Sequence, residues 1–188
     1  MLAAFLFARL CLAQKLLYVP GTINHVKNFK EVVSIVIIKK ETSGDRSRFL
    51  PLLLLADESE EVVKEYIDKG ILYTIWVNSN VAGVVQLIEL DDATMEIKNI
   101  ALKPEDQGKG YGKKVLQMLV AEVERLGKKS IIVGTANSSI DNIIFYQKCG
   151  FRMVAIKKDF FLDYPEPIYE NGIQAVDMIM FKLDIRQN

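Results

Sequence analysis

Histidine is almost missing from this sequence: His25 is the one example in 188 residues. A single imidazole removes Ser-His-Asp and Cys-His arrangements, and most zinc sites, from consideration. Cysteine is nearly as scarce, and Cys11 and Cys149 give neither a disulfide framework nor metal-ligand spacing, so no metal is expected. Excess charge of one sign is also lacking. Lys plus Arg and Asp plus Glu both number 24, which leaves no global field to draw nucleic acid or an anionic membrane. No apolar run is long enough to span a bilayer; MLAAFLFARLCLA at the start is short and broken by Arg9. A secretory signal carries its basic charge before the apolar stretch, whereas here the charge sits inside it, so a cytoplasmic location is expected. Acid–base chemistry is left to Glu, Asp, Tyr, Lys or water.

What is present is periodicity, beginning near Ser34. Residues 1–33 read as an extension that the domain does not need, and residues 34–188 as one α/β (α+β) domain. SIVIIKK (34–40) predicts a strand, residues 46–55 a short apolar helix marked by Pro51, and Asp57 with Glu60 a capping box for a second helix that Gly70 stops. ILYTIWV (71–77) and AGVVQLIEL (82–90), joined through Asn78-Ser79-Asn80, read as a hairpin, and MEIKNIAL (95–102) as a further strand. A long helix is predicted over about 110–126, with Leu116, Leu119, Val120, Val123 and Leu126 on one face. SIIVGT (130–135) is a short buried strand, a helix capped by Ser138 or Ser139 runs to Lys148, and strands near 151–158 and 175–183 close the chain. No internal repeat and no low-complexity linker interrupts this order.

Between the third predicted strand and the long helix lies QGKGYG, residues 107–112. The spacing fits neither a Walker loop, because Gly112-Lys113-Lys114 lacks the hydroxyl residue, nor a dinucleotide fingerprint, because Lys113 stands where a third glycine belongs. An ordinary glycine-rich turn is one reading. The other is a cradle for a pyrophosphate: a helix N-terminus offers unpaired N–H groups and a favourable dipole, and absent side chains let phosphate approach them. In that reading Gln107 adds an amide donor, and Lys109 and Lys113 screen the remaining charge.

The run NIALKPEDQGKGYGKKVL, together with FYQKCGF (145–151), resembles the GNAT superfamily of N-acetyltransferases, whose motif Gln/Arg-x-x-Gly-x-Gly/Ala is matched by Gln107, Gly110 and Gly112. The resemblance covers about residues 34–184 and is nearest to small bacterial members of unsettled substrate. It implies a mixed, mostly antiparallel sheet splayed between strands 4 and 5, flanked by helices, with acetyl-CoA in the opening. It implies backbone contacts from Ile100, Ala101 and Leu102 at a bulge ending the fourth strand, and phosphate contacts from Gln107, Gly108, Lys109, Gly110, Tyr111, Gly112 and Lys113. Tyr146 takes the general-acid position, four residues before Gly150. An unperturbed phenol titrates near the pKa of an alkyl thiol, so proton transfer to a leaving thiolate would be nearly balanced.

Glu96 stands where some members carry a catalytic base, although a strand glutamate also fits a solvated face. Asn137 or Ser139 stands in for the family's asparagine against the pantetheine arm. The branch that acetylates ribosomal-protein N-termini has a similar tail, KKDFF…DMIMFKL, but carries a glutamate on its fifth strand where this chain has Gly134. The resemblance therefore implies an acetyl-CoA-dependent N-acetyltransferase working on a small-molecule or peptide amine through a direct ternary complex, with a homodimer as one possible assembly. An acyl-CoA-binding sensor and a protein N-terminal or lysine acetyltransferase are the alternatives. The acidic and aromatic segment 159–177 reads either as a solvated loop folded onto the sheet or as a rim for a cationic acceptor.

Overall fold

A computed structural model describes residues 34–185, and the expected extension at 1–33 lies outside the described residues. Strand β1 (Val36–Lys40) is followed by a 3-10 turn and a four-residue helix α1 (Leu50–Leu53), with Pro51 in its first turn, where a missing N–H costs nothing. Helix α2 (Glu60–Tyr66) is capped differently from expectation. Ser59 Oγ accepts from the Val62 N–H at 3.3 Å, while Asp57 is buried beneath the turn and receives the Tyr66 hydroxyl. Strands β2 (Ile71–Val77) and β3 (Asn80–Glu89) form the predicted hairpin. Asn78 and Ser79 both take positive φ, the conformation a two-residue turn needs to match strand twist.

Strand β4 (Thr94–Leu102) leads through a 3-10 turn into helix α3 (Tyr111–Arg125), which returns the chain to β5 (Ser130–Ala136), parallel to β4. Helix α4 (Ile140–Lys148) and edge strand β6 (Arg152–Lys157) follow. The predicted long loop contains its own small hairpin, β7 (Tyr169–Glu170) and β8 (Ile173–Gln174), turning at Asn171-Gly172, before β9 (Met178–Asp184). The main sheet runs β1-β2-β3-β4-β5-β9-β6, so the last strand inserts between β5 and β6. Among the described residues only β4–β5 is parallel.

Alternation along the strands buries two opposite faces. Ile75, Leu87, Ile97, Ile100, Val115, Leu119, Ile131, Tyr146 and Phe181 form the core under α3. Leu53, Val63, Tyr66, Leu72, Val84 and Ala101 form a second core under α1 and α2. Phe161, Ile168, Met178 and Met180 make a third cluster beneath the 160–175 excursion, with Phe160 and Tyr164 packed against it, while Tyr169 stays exposed. Among the described residues no helix is long and apolar enough to cross a membrane.

Candidate active site

The sheet opens between β4 and β5. Their parallel pairing runs from Thr94 opposite Ser130 to Ile97 opposite Val133 and then stops, although β4 continues to Leu102 and β5 to Ala136. Beyond Ile97 the β5-facing edge of β4 therefore carries backbone groups with no strand beside them. Which amides face the gap follows from alternation. Lys103 N–H donates to Ala82 O at 2.8 Å on the β3 side, so Ile100 and Leu102 turn their N–H groups toward the opening. Ala101, between them, turns its backbone groups the other way: its carbonyl is pressed against β3, occupying the space a Cβ on Gly83 would need, and its methyl joins the α1–α2 core.

A bulge sets this arrangement. Across β3 and β4, Gln86 faces Asn99 and Leu87 faces Ile97, which leaves Lys98 as the extra residue. Ile97 and Ile100 both reach the α3 core, while Glu96, Lys98 and Asn99 lie on the α1–α2 side.

The glycine segment closes one end of the opening. Gly108 and Gly110 have φ of 70° and 78°, a left-handed backbone that side chains disfavour. A Cβ at Gly110 would meet no atom within 4 Å, so the glycine serves backbone conformation and leaves the first N–H groups of α3 bare. Gly112 is buried in the first turn. The side chains of Gln107 and Tyr111, both expected at the phosphate, also make internal bonds. Gln107 Nε2 donates to Leu102 O at 2.8 Å, bracing the turn against the end of β4, and the Tyr111 hydroxyl donates to Ser34 Oγ at 2.9 Å. Lys109 stays close to the turn, 3.7 Å from Asp106. Lys113 lines a cavity of about 90 Å³ between α3 and α4, together with Lys148, Cys149 and Phe151. Two ammonium groups thus flank the helix terminus.

Tyr146 projects from α4 into the core and is 0 % exposed. Its ring packs against Phe145, Phe151 and Phe181 at centroid distances of 5.3, 5.7 and 5.7 Å, and its hydroxyl has no hydrogen-bond partner among the described residues. Burial pushes this phenol above its usual range. In this setting Tyr146 is a weaker acid than a free phenol. Cys149 is half-buried, and burial raises its thiol as well.

Asn137 and Ser139, expected against the pantetheine arm, bond within the chain. Asn137 Oδ1 accepts from the Val176 and Asp177 N–H groups at 2.7 and 2.9 Å, and its Nδ2 donates to Gln174 O at 3.0 Å. Ser139 Oγ donates to Glu170. Both side chains clamp the 169–177 excursion to the start of α4.

On the α1–α2 side, a cavity of about 210 Å³ is lined by Val62, Glu65, Tyr66 and Lys69 of α2 and the turn after it, Ile88 of β3, and Glu96 and Lys98 of β4. Glu96 is 5 % exposed; burial pushes its carboxyl up, and the Lys157 charge partly opposes this. Lys98 is 8 % exposed, stacks on the Tyr66 ring at 5.1 Å, and is held down to about 8 by burial and then by Lys157. Sequence reasoning singles out Glu96 but misses Lys98. The signal is there: MEIKNIAL places two opposite charges at i and i+2, on one face of an otherwise apolar central strand. On β5, the space a side chain at Gly134 would need is filled by the Met178 and Met180 sulfur atoms.

Comparison with known proteins agrees with this geometry. The profile described as Acetyltransferase (GNAT) family matches residues 44–151. The uncharacterized N-acetyltransferase YvbK of Bacillus subtilis is 47% identical over 135 residues, covering 71% of this chain and 87% of that protein. A GNAT family acetyltransferase from Elizabethkingia anophelis, crystallised with acetyl-CoA bound, superposes with a TM-score of 0.75 at 39% identity, covering 79% of this chain and 97% of the other. The ribosomal protein bS18-alanine N-acetyltransferase of Haemophilus influenzae is 35% identical over 78 residues, covering 42% of this chain and 49% of that one, a weaker likeness. With its splayed mixed sheet, glycine turn and α3 terminus in place, this chain belongs to the GNAT family of N-acetyltransferases.

Proposed function

We propose that the chain transfers an acetyl group from acetyl-CoA to a primary amine while both are bound together. One observation carries this reading. The Ile100 and Leu102 amides at the β4–β5 opening lie next to the glycine turn that bares the N-terminus of α3, where Gln107 ties that turn to the end of β4, and α4 adds in Tyr146 a buried hydroxyl with no partner among the described residues. These fit the three parts of such a cosubstrate in turn: α3 with Lys109 and Lys113 for the pyrophosphate, strand-edge amides for the amide-containing arm and the acyl oxygen, and a buried hydroxyl for sulfur. Acetyl-CoA supplies an activated thioester. The amine forms the new C–N bond as the C–S bond breaks, and the protein manages the protons. Glu96, its carboxyl already raised by burial, takes one from the amine directly or through water, and Tyr146 donates a hydrogen bond to the departing sulfur. Gly134 leaves β5 without a carboxylate, which leaves Glu96 as the β4 carboxylate of this cavity. Cys149 belongs to the cavity between α3 and α4 and serves no covalent relay in this reading.

The test is thermal. CoA raises the melting temperature of the wild-type protein, and Gly110→Glu or Gly112→Glu removes that rise by setting a carboxylate against the bare amides. At CoA concentrations of about 100 Kd the wild-type gain is about 2.7 kcal/mol. Undiminished CoA stabilisation in both variants overturns the site. A protein that binds CoA tightly yet acetylates no amine or peptide in a broad panel is a sensor rather than a transferase.

A further inference from the structure

The cavity between α2 and β4 holds two charges of opposite sign, with only the Lys157 charge acting on both from a distance. Neither the Glu96 carboxylate nor the Lys98 ammonium makes a salt bridge or side-chain hydrogen bond among the described residues, though each is more than nine-tenths buried. Burying an unpaired ion is costly, and in most interiors the site either pairs it or loses it. Here both are kept, on one face of one strand, at the end of the paired region where β4 and β5 part. The bulge is what presents Lys98, since it sits opposite no residue of β3. Tyr66 supports the ammonium by its ring face while its hydroxyl is tied to Asp57 and Asn99, so the platform under Lys98 is fixed from three elements.

Building on the acetyltransferase reading above, we propose that this cavity is the acceptor pocket and that it selects a small amine that also carries a carboxylate, Lys98 pairing with the acid group while Glu96 receives the amine. The size agrees. About 210 Å³ is below the ~300–1,000 Å³ of drug-sized ligand pockets, so it suits a small zwitterion or one end of a larger molecule. The walls agree as well: Val62, Ile88 and the Tyr66 ring are apolar and flank a charged floor. A zwitterion satisfies both buried ions at once, whereas a plain cation or a polyamine would leave Lys98 facing like charge. Lys98 is thus a specificity-determining residue. Glu65 and Lys69 beside α2, Glu96 on β4, the Tyr66 hydroxyl and Lys157 are the charged or titratable groups around it.

Matched ligands test this with the full-length protein. CoA-saturated enzyme is melted with alanine, β-alanine or γ-aminobutyrate, each against its own amide, and acetylation of the same compounds is followed by CoA release. At least one acid stabilises the protein and is acetylated with a KM about tenfold or more below that of its amide. In Lys98→Met, which keeps the apolar stem over Tyr66, that preference falls to within about twofold with the acetyl-CoA KM unchanged; Lys98→Arg retains part of it. NMR of lysine-labelled protein shows the Lys98 titration moving upward from about 8 when the acid binds, a change that packing alone would not produce. Equal binding and turnover of acids and amides overturns the proposal while leaving the transferase reading intact, and absence of CoA stabilisation in the wild type defeats that reading separately.

Discussion

Tyr146→Phe lowers kcat for acetyl transfer by about 10²-fold or more and, in the same protein, raises the melting temperature of the unliganded state. Both effects come from one oxygen atom. The hydroxyl is wholly buried and unpartnered, and an unsatisfied buried polar group costs about 1–3 kcal/mol. Phenylalanine keeps the contacts with Phe145, Phe151 and Phe181 and removes that cost. The same oxygen is what a departing thiolate would meet, so its loss falls on the transition state more than on CoA binding. The pH–rate profile carries a second check. Because burial holds the phenol above its usual range, no basic limb of the wild-type profile belongs to Tyr146, and the limbs of Tyr146→Phe coincide with those of wild type. Unchanged turnover, or a variant less stable than wild type without CoA, would refute this account.

The order of elements is legible in the sequence because it rests on local patterns. Alternation in 71–77 and 82–90, the helical face from Leu116 to Leu126, and the turn residues Asn78-Ser79 and Asn171-Gly172 each specify their structure within a few residues. The glycine turn is legible for the same reason, since Gly108 and Gly110 answer a backbone requirement. What sequence does not show is side chains whose partners arrive from far along the chain. Gln107 looks like a free amide until Leu102 O is beside it, and Tyr111 looks available until Ser34 meets it across 77 positions. Asn137 and Ser139 become struts only because residues 170–177 fold back over α4. Asn99 is hidden differently. Whether a β4 residue points up or down depends on the bulge, and a bulge exists only relative to the partner strand.

Asp57→Asn makes the protein more stable at pH 7.5 by up to about 3 kcal/mol, with the difference vanishing below about pH 4. In sequence Asp57 resembles a helix cap, but it is 1 % exposed and sits at the centre of a network. Its carboxylate accepts from the Ser59 N–H at 3.2 Å and from the Tyr66 hydroxyl at 3.1 Å; that hydroxyl accepts from Asn99 Nδ2, which also donates to Leu53 O. Burial outweighs these bonds and pushes the carboxyl up to about 6. Its unfolded value is about 3.9, so between those two values the native state binds the proton more tightly than the unfolded chain does. Stability from this group is therefore present at low pH and is lost as pH rises from about 4 through 6. A rise from about 4 to about 6 is equivalent to about 3 kcal/mol. Asparagine accepts the same Ser59 N–H and cannot ionise, although its Nδ2 replaces the oxygen that accepts from the Tyr66 hydroxyl and so takes back part of the gain; its melting curve loses this pH dependence, by about 2–4 °C for each kcal/mol. The network joins α1, α2 and β4 directly behind the Lys98 platform, and the Asp57 charge also reaches Tyr164. Keeping a carboxylate that destabilises the fold at neutral pH fits a site where stability yields to electrostatics. Parallel melting curves for the two proteins from pH 4 to 8 would show that Asp57 folds already ionised, without this cost.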